Sequence, residues 1–232
     1  MKLFATAIAL AVLAVIHASA AVLYAPTPIG SSARISDYGS SDQTGFRSFD
    51  NFTVGSYGAK VERVSWSGFW LDLSNPVPAP APDPDVLSWE IAFYADDAGV
   101  PGTQLFFESL NASDAASTFL GTSVFGASGF YNVSAYRYSV DLTTPFAASP
   151  ATTYWISVLS RSSSYYPAWT LYGATGGDDE TYQQQLGPAL SILNTNTVPR
   201  DRAFVLEGTV PEPSTMLVCA AGLALLTTFR RV

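Results

Sequence analysis

The chain has 232 residues, of which 48% are hydrophobic and only 13% are charged, and its formal net charge is −8. That length is enough to bury a core in a single domain, and the composition is too apolar for a chain that is mostly disordered. The 19 acidic residues against 11 basic ones argue against a nucleic-acid partner, which would require phosphates to be neutralised by basic side chains.

The first element in the chain, residues 1–20, is predicted to be a secretory signal peptide. Lys2 is followed by an apolar run from Leu3 to Ile16 and then by the small residues Ala18-Ser19-Ala20. A positive start, a short apolar stretch and an A-x-A site form the pattern that signal peptidase recognises. The apolar run is short for a transmembrane helix, which needs about 20 residues. We expect cleavage after Ala20, with Ala18 and Ala20 as the recognition positions.

The body of the chain, residues 21–209, is predicted to be all-β, a single antiparallel β-sandwich of jelly-roll-like character. Short runs alternate hydrophobic and polar residues with a period of two, as where Trp89, Ile91 and Phe93 alternate with smaller or polar residues. No part of the body shows a helical period longer than two turns, which favours a sandwich. The predicted strands are 48–54, 59–73, 87–95, 103–108, 136–142, 153–160, 168–173 and 202–208.

Residues 75–85 are predicted to be a Pro-rich loop inserted between two strands of the sandwich. A proline stands at every second position from Pro76 to Pro84. Since proline cannot donate to a sheet ladder, the segment is expected to adopt polyproline II rather than a strand. Too few residues precede it in the body to form a separate domain.

The body contains no histidine and no cysteine, because His17 lies in the predicted signal peptide and Cys219 lies near the C-terminus. This excludes nucleophile systems that depend on histidine or cysteine, zinc sites with imidazole or thiolate ligands and disulfides. Paired carboxylates, as in glycosidases, are the catalytic option that is left. No pair of acids stands out in the sequence, so we expect the protein not to be an enzyme.

Two groups of neighbouring carboxylates, Asp96-Asp97 and Asp178-Asp179, are the candidate metal ligands. Calcium takes six to eight oxygen ligands from carboxylates and loop carbonyls. Neither group has the spacing of an EF-hand loop, and aspartate beside glycine is also what ordinary turns require. We expect solvated turns here, with weak calcium binding as the alternative and no other cofactor.

A segment rich in aromatic and hydroxyl side chains, residues 161–169, contains the candidate glycan contacts Tyr165, Tyr166 and Trp169. Aromatic rings beside hydrogen-bonding groups suit a pyranose, which presents an apolar C–H face. The alternative is that Trp169 and Tyr172 fill the core of the sandwich.

The last element, residues 210–232, contains a second hydrophobic segment. Pro211-Glu212-Pro213 is followed by an apolar stretch from Met216 to Phe229 and then by Arg230-Arg231. These three parts, in this order, resemble the PEP-CTERM sorting signal of Gram-negative bacteria that produce exopolysaccharide. The two prolines keep the backbone extended, and terminal arginines favour the cytoplasmic side of a membrane.

The resemblance implies a protein that is exported and then processed by exosortase, a membrane transpeptidase. Pro211, Glu212 and Pro213 would be the processing motif, and Arg230 and Arg231 would orient a short transmembrane helix. The helix would hold an intermediate in the inner membrane before the protein reaches the cell surface or the extracellular matrix. Signal peptidase and exosortase are therefore the expected processing partners.

The expected role of the exported body is structural or adhesive, with extracellular polysaccharide as a further partner. The 19 acidic residues less Glu212, and the 11 basic residues less Lys2, Arg230 and Arg231, leave this body a net charge of −10. Such a charge keeps a protein soluble and influences its association with charged polymers. The alternatives are a dedicated carbohydrate-binding module and a polysaccharide hydrolase or lyase that depends on carboxylates.

Overall fold

The computed structural model of the protein describes residues 20–71, 86–125, 131–165 and 167–211. Almost all regular structure in these ranges is β, and the only helical elements are two 3₁₀ turns, Ala112–Asp114 and Pro188–Leu190. The strands are β1 (Ala20–Tyr24), β2 (Thr27–Ile35), β3 (Asp37–Gly39), β4 (Thr44–Thr53), β5 (Ala59–Leu71), β6 (Val86–Asp96), β7 (Pro101–Asn111), β8 (Ala116–Phe125), β9 (Tyr131–Ala148), β10 (Thr153–Ser162), β11 (Ala168–Thr175), β12 (Glu180–Leu186), β13 (Ile192–Pro199), β14 (Asp201–Arg202) and β15 (Phe204–Thr209).

The strands form two sheets, one of eight strands and one of seven. The eight-stranded sheet is built on β5, which pairs with β9 on one side and with β15 and β11 on the other. The seven-stranded sheet has the order β13-β12-β4-β3-β10-β6-β7. Pairing between the described strands is antiparallel except between β3 and β10, which run parallel. The all-β prediction is confirmed, while a jelly-roll order of the strands stays a prediction.

The two sheets pack against each other through a core of aromatic side chains. Trp66 and Trp169 come from the eight-stranded sheet and Trp89 from the seven-stranded one, and each is at most 1% exposed. The ring centroid of Trp89 lies 5.0 Å from that of Trp66 and 5.5 Å from that of Trp169. Such edge-on contacts suit aromatic rings, whose faces and edges carry opposite partial charge. The core therefore joins both sheets into one sandwich.

The predicted flanking segments lie outside the described residues. They are the signal peptide before Ala20, the Pro-rich loop 75–85 between β5 and β6, and the sorting tail from Glu212 onward. Ala20 pairs with Thr209 across β1 and β15, so the two ends of the body lie on neighbouring strands. In the ranges that are described, no helix is long and apolar enough to span a bilayer.

Candidate functional site

The candidate site is the outer face of the seven-stranded sheet, which points away from the sandwich core. Successive side chains of a strand point to opposite faces of its sheet, so core residues on β4, β6 and β10 leave a second set facing outward. We call this set the outer face. It comprises Tyr38 on β3, Arg47 and Phe49 on β4, Glu90, Ala92 and Tyr94 on β6, Trp155, Ser157, Leu159 and Arg161 on β10, and Tyr182 and Gln184 on β12.

Small residues lie at the centre of the outer face, and large ones close over them. Ser157 on β10 pairs with Phe49 on one side and with Ala92 on the other. The rings of Phe49 and Tyr94 meet edge-on with their centroids 5.3 Å apart, which requires them to cross above β10. Ser157 is consequently only 2% exposed, and a larger side chain at this position would displace both rings.

Three charged side chains, Arg47, Glu90 and Arg161, form what we call the ionic triad. One carboxylate oxygen of Glu90 accepts from Arg47 at 2.8 Å and the other accepts from Arg161 at 2.9 Å. The exposed fractions of the three side chains are 16%, 10% and 25% in that order. Charges this far from water lose hydration, and the paired hydrogen bonds offset that loss. The triad is therefore an ordered arrangement of charge.

Aromatic rings fix the orientation of both arginines in the triad. Nη1 of Arg47 donates to the hydroxyl of Tyr94 at 3.2 Å, and the guanidinium of Arg161 lies 4.6 Å from the centroid of the Tyr38 ring. An arginine over an aromatic face is attracted by the ring quadrupole. Burial raises the pKa of Tyr94, against the opposing effect of Arg47, so its hydroxyl is protonated at neutral pH.

The triad retains hydrogen-bond donors that the protein itself does not use. The side chain of Arg161 is 25% exposed and bonds to Glu90 through Nη1 alone, while the Nε atoms of Arg47 and Arg161 are buried and have no hydrogen-bond partner within the described ranges. Two arginines and one glutamate give the triad a formal charge of +1 in a chain whose net charge is −8. The arrangement can therefore receive an acceptor-rich or anionic group.

One end of the outer face is closed by Trp155, which is fully buried. Its indole Nε1 donates to Oδ1 of Asp96 at 2.8 Å, and its ring meets that of Tyr182 edge-on at 5.3 Å. Asp96 also accepts from the backbone N–H of Gly99 through Oδ2 at 3.2 Å. Both oxygens of this candidate calcium ligand thus serve the packing of Trp155 and the β6–β7 turn.

The remaining candidate calcium ligands lie in turns. Asp97 exchanges two backbone hydrogen bonds with Val100, which closes the hairpin between β6 and β7. Asp178 accepts from the side chain of Asn51 at 2.6 Å and from the backbone of Glu180 at 2.9 Å, and Asp179 has a left-handed backbone with φ of 63°. Where the structure is described, no three residues among His, Cys, Asp and Glu are grouped to hold a metal.

The predicted glycan contacts are not brought together at the outer face. Trp169 is 0% exposed and packs between Trp70 and Trp89 in the sandwich core. The alternative prediction, that Trp169 fills the core, is confirmed, and the glycan contact is wrong because a buried ring cannot stack on a sugar; Tyr172 is also buried, in a separate cluster. Tyr165 is also buried, at 8% exposure, and its backbone N–H donates to Asp42 at 2.7 Å. Tyr166 lies outside the described residues.

The sequence reasoning missed the triad, although part of its signal was visible. Glu90 lies in a predicted strand, on the polar side of the alternation, while Arg47 and Arg161 lie one residue outside two others. Opposite charges on the polar faces of three strands indicate a cross-strand network only when those strands are neighbours. The alternation of apolar and polar residues does not show which strands are neighbours in the sheet.

Cavities in the described part of the chain also lie apart from the outer face. The first, between the sheets, has a volume of about 10 Å³ and is lined in part by Asp50 and Arg202, which is room for about one water molecule. Burial raises the pKa of Asp50. The hydrogen bond that Asp50 accepts from the backbone N–H of Arg202, at 2.6 Å, acts in the opposite direction. Burial lowers the pKa of Arg202 to about 10, so the guanidinium stays charged at neutral pH. This cavity is too small for an organic ligand.

The second cavity is a shallow depression of about 290 Å³ on the eight-stranded sheet. It is lined by Glu62, Arg63, Asp141, Glu207 and Gly208. Arg63 and Asp141 pair across it at 2.6 Å, with side chains 49% and 72% exposed. Solvent reaches these charges freely, so they are weakly ordered compared with the triad.

No family model matches the sequence, and no curated protein matches it. Among solved structures, the chain is similar to a structure of the cysteine protease and lectin-like domains of Cwp84, a surface layer associated protein of Clostridium difficile. The identity is 12% and the TM-score 0.38, and the match covers 72% of this chain and 33% of that one. This chain thus spans about a third of the solved chain that it matches, and a likeness at that TM-score carries no functional argument.

Proposed function

We propose that the protein is an exported adhesive protein of the cell surface or extracellular matrix, and that its outer face binds carbohydrate. The observation that carries the binding proposal is the ionic triad of Arg47, Glu90 and Arg161, set among aromatic side chains on a face outside the core. Because the triad is fixed by Tyr94 and Tyr38, its donors are held in position before any ligand arrives, which reduces the entropy lost on binding.

Carbohydrates suit such a surface because they present hydroxyl groups beside apolar C–H faces. Charged donors and acceptors form the stronger hydrogen bonds to hydroxyl groups, and half-exposed aromatic rings supply apolar contact. Phe107 pairs with Ala92 at the β7 edge of the outer face and is 49% exposed. Tyr182 and Gln184 are half-buried at the β12 side. A chain of sugars could therefore contact rings and polar groups on both sides of the triad.

Export is supported by the sequence at both ends of the chain. The A-x-A site at Ala18 and Ala20 fits signal peptidase, and the Pro211-Glu212-Pro213 motif with its following apolar stretch and Arg230-Arg231 resembles an exosortase substrate. A body without histidine or cysteine fits a binding role better than the common hydrolytic mechanisms. An adhesive role follows if the processed protein is retained beside the polysaccharide that it binds.

The binding proposal is tested with purified protein on a glycan array and on polysaccharide extracted from the producing cells. We expect binding by the wild type, loss of binding in Arg161→Gln, and normal binding in the matched control Arg63→Gln on the opposite sheet. Thermal melts and circular dichroism verify that both variants are folded. Failure of the wild type to bind any glycan, or equal loss in the two variants, contradicts the proposal.

The sorting proposal is tested by fractionating cells and determining the mature termini by mass spectrometry. We expect the wild type to begin at Ala21, to lack the stretch from Met216 to Phe229, and to reach the surface or the medium. Glu212→Ala should leave the protein in the inner membrane with its body folded, since β15 ends at Thr209. Wild-type protein that keeps its apolar tail, or a variant that reaches the surface normally, contradicts exosortase processing.

A further inference from the structure

We infer that the ligand of the outer face is an acidic glycan, one whose sugar carboxylate is bound by Arg161 and Arg47. The inference rests on the proposed function, because it names the chemical class of the carbohydrate that this same face takes. It is carried by the donors and the charge of the ionic triad.

A guanidinium offers five N–H donors, and the hydrogen bonds of the triad use two from Arg47 and one from Arg161. The Nε atoms of both arginines are buried without a hydrogen-bond partner among the residues described. These two atoms are out of reach of a ligand, so the donors that a ligand meets are the remaining N–H groups on the exposed part of Arg161, whose side chain is 25% exposed and bonds to Glu90 through Nη1 alone. A carboxylate accepts from an arginine through both oxygens, and this pairing is among the strongest hydrogen-bonded contacts in proteins.

The accessibility of the arginines decides which of them a ligand meets. Arg161 has 25% of its side chain exposed, against 16% for Arg47. Arg161 lies on β10 opposite Ser88 of β6, and Ser88 is half-buried. A sugar carboxylate on Arg161 would therefore have a hydroxyl group of the protein beside it for the neighbouring sugar hydroxyl. Arg161 is the primary contact and Arg47 the inner one.

The charge of the face distinguishes it from the rest of the molecule. The triad is formally +1, whereas the chain as a whole is −8. Asp96, at the other end of the face, has both oxygens occupied by Trp155 and Gly99. At physiological ionic strength charges more than about 8 Å apart are largely screened. An anionic sugar at the triad is consequently attracted by the nearby arginines more than it is repelled by the distant acids.

Neutral sugars fit this arrangement less well. A neutral hydroxyl forms a weaker hydrogen bond to a guanidinium than a carboxylate does, and it leaves the formal charge of the triad uncompensated. Glu90 neutralises only one of the two arginines. A ligand carboxylate would neutralise the second arginine, so that two carboxylates balance the two guanidinium groups of Arg47 and Arg161.

The experiment compares two forms of one glycan by isothermal titration calorimetry with the purified protein. The first is an oligogalacturonate, and the second is the same oligomer with its carboxylates reduced to primary alcohols. We expect the acidic form to bind at least about tenfold more tightly, with an affinity that falls as salt is raised, since ionic contacts are screened. Oligomannuronate is the second acidic probe, in case the linkage of the first does not fit.

Variants assign the selectivity to the triad. Arg161→Gln should remove the preference for the acidic form, while Arg161→Lys, which keeps the charge but lacks the planar fork, should keep part of it. The matched control Arg63→Gln changes an arginine of the other sheet and should bind like the wild type. Melting temperatures of all three variants verify that loss of binding is not loss of fold.

The outcomes separate this inference from the proposed function. Equal affinity for the acidic and reduced oligomers would overturn the acidic-glycan inference and leave carbohydrate binding intact. Binding of neither probe, together with no binding on a glycan array, overturns both. A preference for the acidic form that survives in Arg161→Gln shows that the carboxylate is bound elsewhere, and it too overturns the inference.

Discussion

The outer faces of the two sheets carry charged residues in opposite ways. On the seven-stranded sheet Glu90 is 10% exposed and accepts from two arginines. On the eight-stranded sheet the Arg63–Asp141 pair has side chains 49% and 72% exposed. Both arrangements are built from arginine and carboxylate at hydrogen-bonding distance, yet only the first is held out of solvent. Proximity of opposite charges therefore does not by itself make an ordered site.

The difference arises from the neighbouring side chains rather than from the charged groups. Beside Arg63 and Asp141 on the same face lie Ser65 and Ser139, which pair with each other across β5 and β9. These small side chains leave the ion pair open to water. Beside Glu90 lies Leu159, its partner across β6 and β10, and the rings of Tyr94 and Tyr38 contact Arg47 and Arg161; all three of these side chains are buried. Large rings exclude water from the charges, and exclusion of water strengthens the hydrogen bonds between them.

The largest expected effect comes from breaking the triad with Glu90→Gln. The substitution keeps the shape of the side chain but leaves Arg47 and Arg161 without a carboxylate. Removing one partner of a buried ion pair leaves an uncompensated charge, and we expect a loss of about 3 kcal/mol in the free energy of unfolding. In a domain of this size that corresponds to a fall in Tm of roughly 6–12 °C. Urea and thermal unfolding measure both quantities.

Asp141→Asn is the matched control for that substitution, since it removes a carboxylate from the exposed pair on the other sheet. We expect a change within about 0.5 kcal/mol, because exposed ion pairs contribute little. If Glu90→Gln proved as mild as Asp141→Asn, the two faces would be equivalent in energy and the comparison would fail.

The second expected effect concerns the aromatic end of the outer face. Trp155→Phe removes the N–H that donates to Asp96 and part of a fully buried ring. Because Asp96 is itself exposed, water can replace the lost donor, and we expect a loss of about 1–2 kcal/mol in the free energy of unfolding. Asp96→Asn should lose less, since its amide oxygen can still accept from Trp155 and only the exposed bond from the backbone of Gly99 is lost. Chemical denaturation of both variants gives this order, and the reverse order contradicts it.

The sequence predicted the fold class well because alternation is a local signal. Each predicted strand overlaps an observed one, including 87–95 within β6 and 136–142 within β9. The strands that were missed include β12, which contains three successive glutamines, and the exposed edge strand β13. Neither shows a clear alternation of apolar and polar residues, and pairing with a neighbouring strand is what makes them strands.

The candidate site was not predictable by the same means, since it depends on contacts between distant parts of the chain. Glu90 bonds to Arg47, 43 residues before it, and to Arg161, 71 residues after it. Trp169 illustrates the converse error. The hydroxyl side chains that precede it indicate a surface role, but β11 is buried along nearly all its length. Local composition cannot show burial that neighbouring strands cause.

A third, smaller effect is the pH dependence of the exposed pair. The hydrogen bond from Arg63 lowers the pKa of Asp141, so the folded state binds the proton less tightly than the unfolded state. The contribution of the pair is therefore present above the unfolded pKa of about 4 and is lost as pH falls through the folded pKa. The small stability difference between wild type and Asp141→Asn should vanish at low pH, and it should also shrink in high salt. A difference that grows on acidification would contradict the assignment.

The smallest expected effect is that of chelation, which tests whether the order of the outer face depends on a metal. Asp96 already accepts from Trp155 and Gly99, and Asp178 from Asn51 and Glu180. A calcium ion would need six or more oxygens, several of them from these same groups, and would have to displace the hydrogen bonds that now hold the turns. We expect EDTA to change Tm by less than about 1 °C, well under the 2–4 °C that roughly 1 kcal/mol produces in a domain of this size. A fall of about 5 °C or more, restored by added calcium, would show that weak calcium binding by Asp96, Asp97, Asp178 or Asp179 contributes to stability. The contrast between the two faces would then depend partly on metal and not on the size of neighbouring side chains alone.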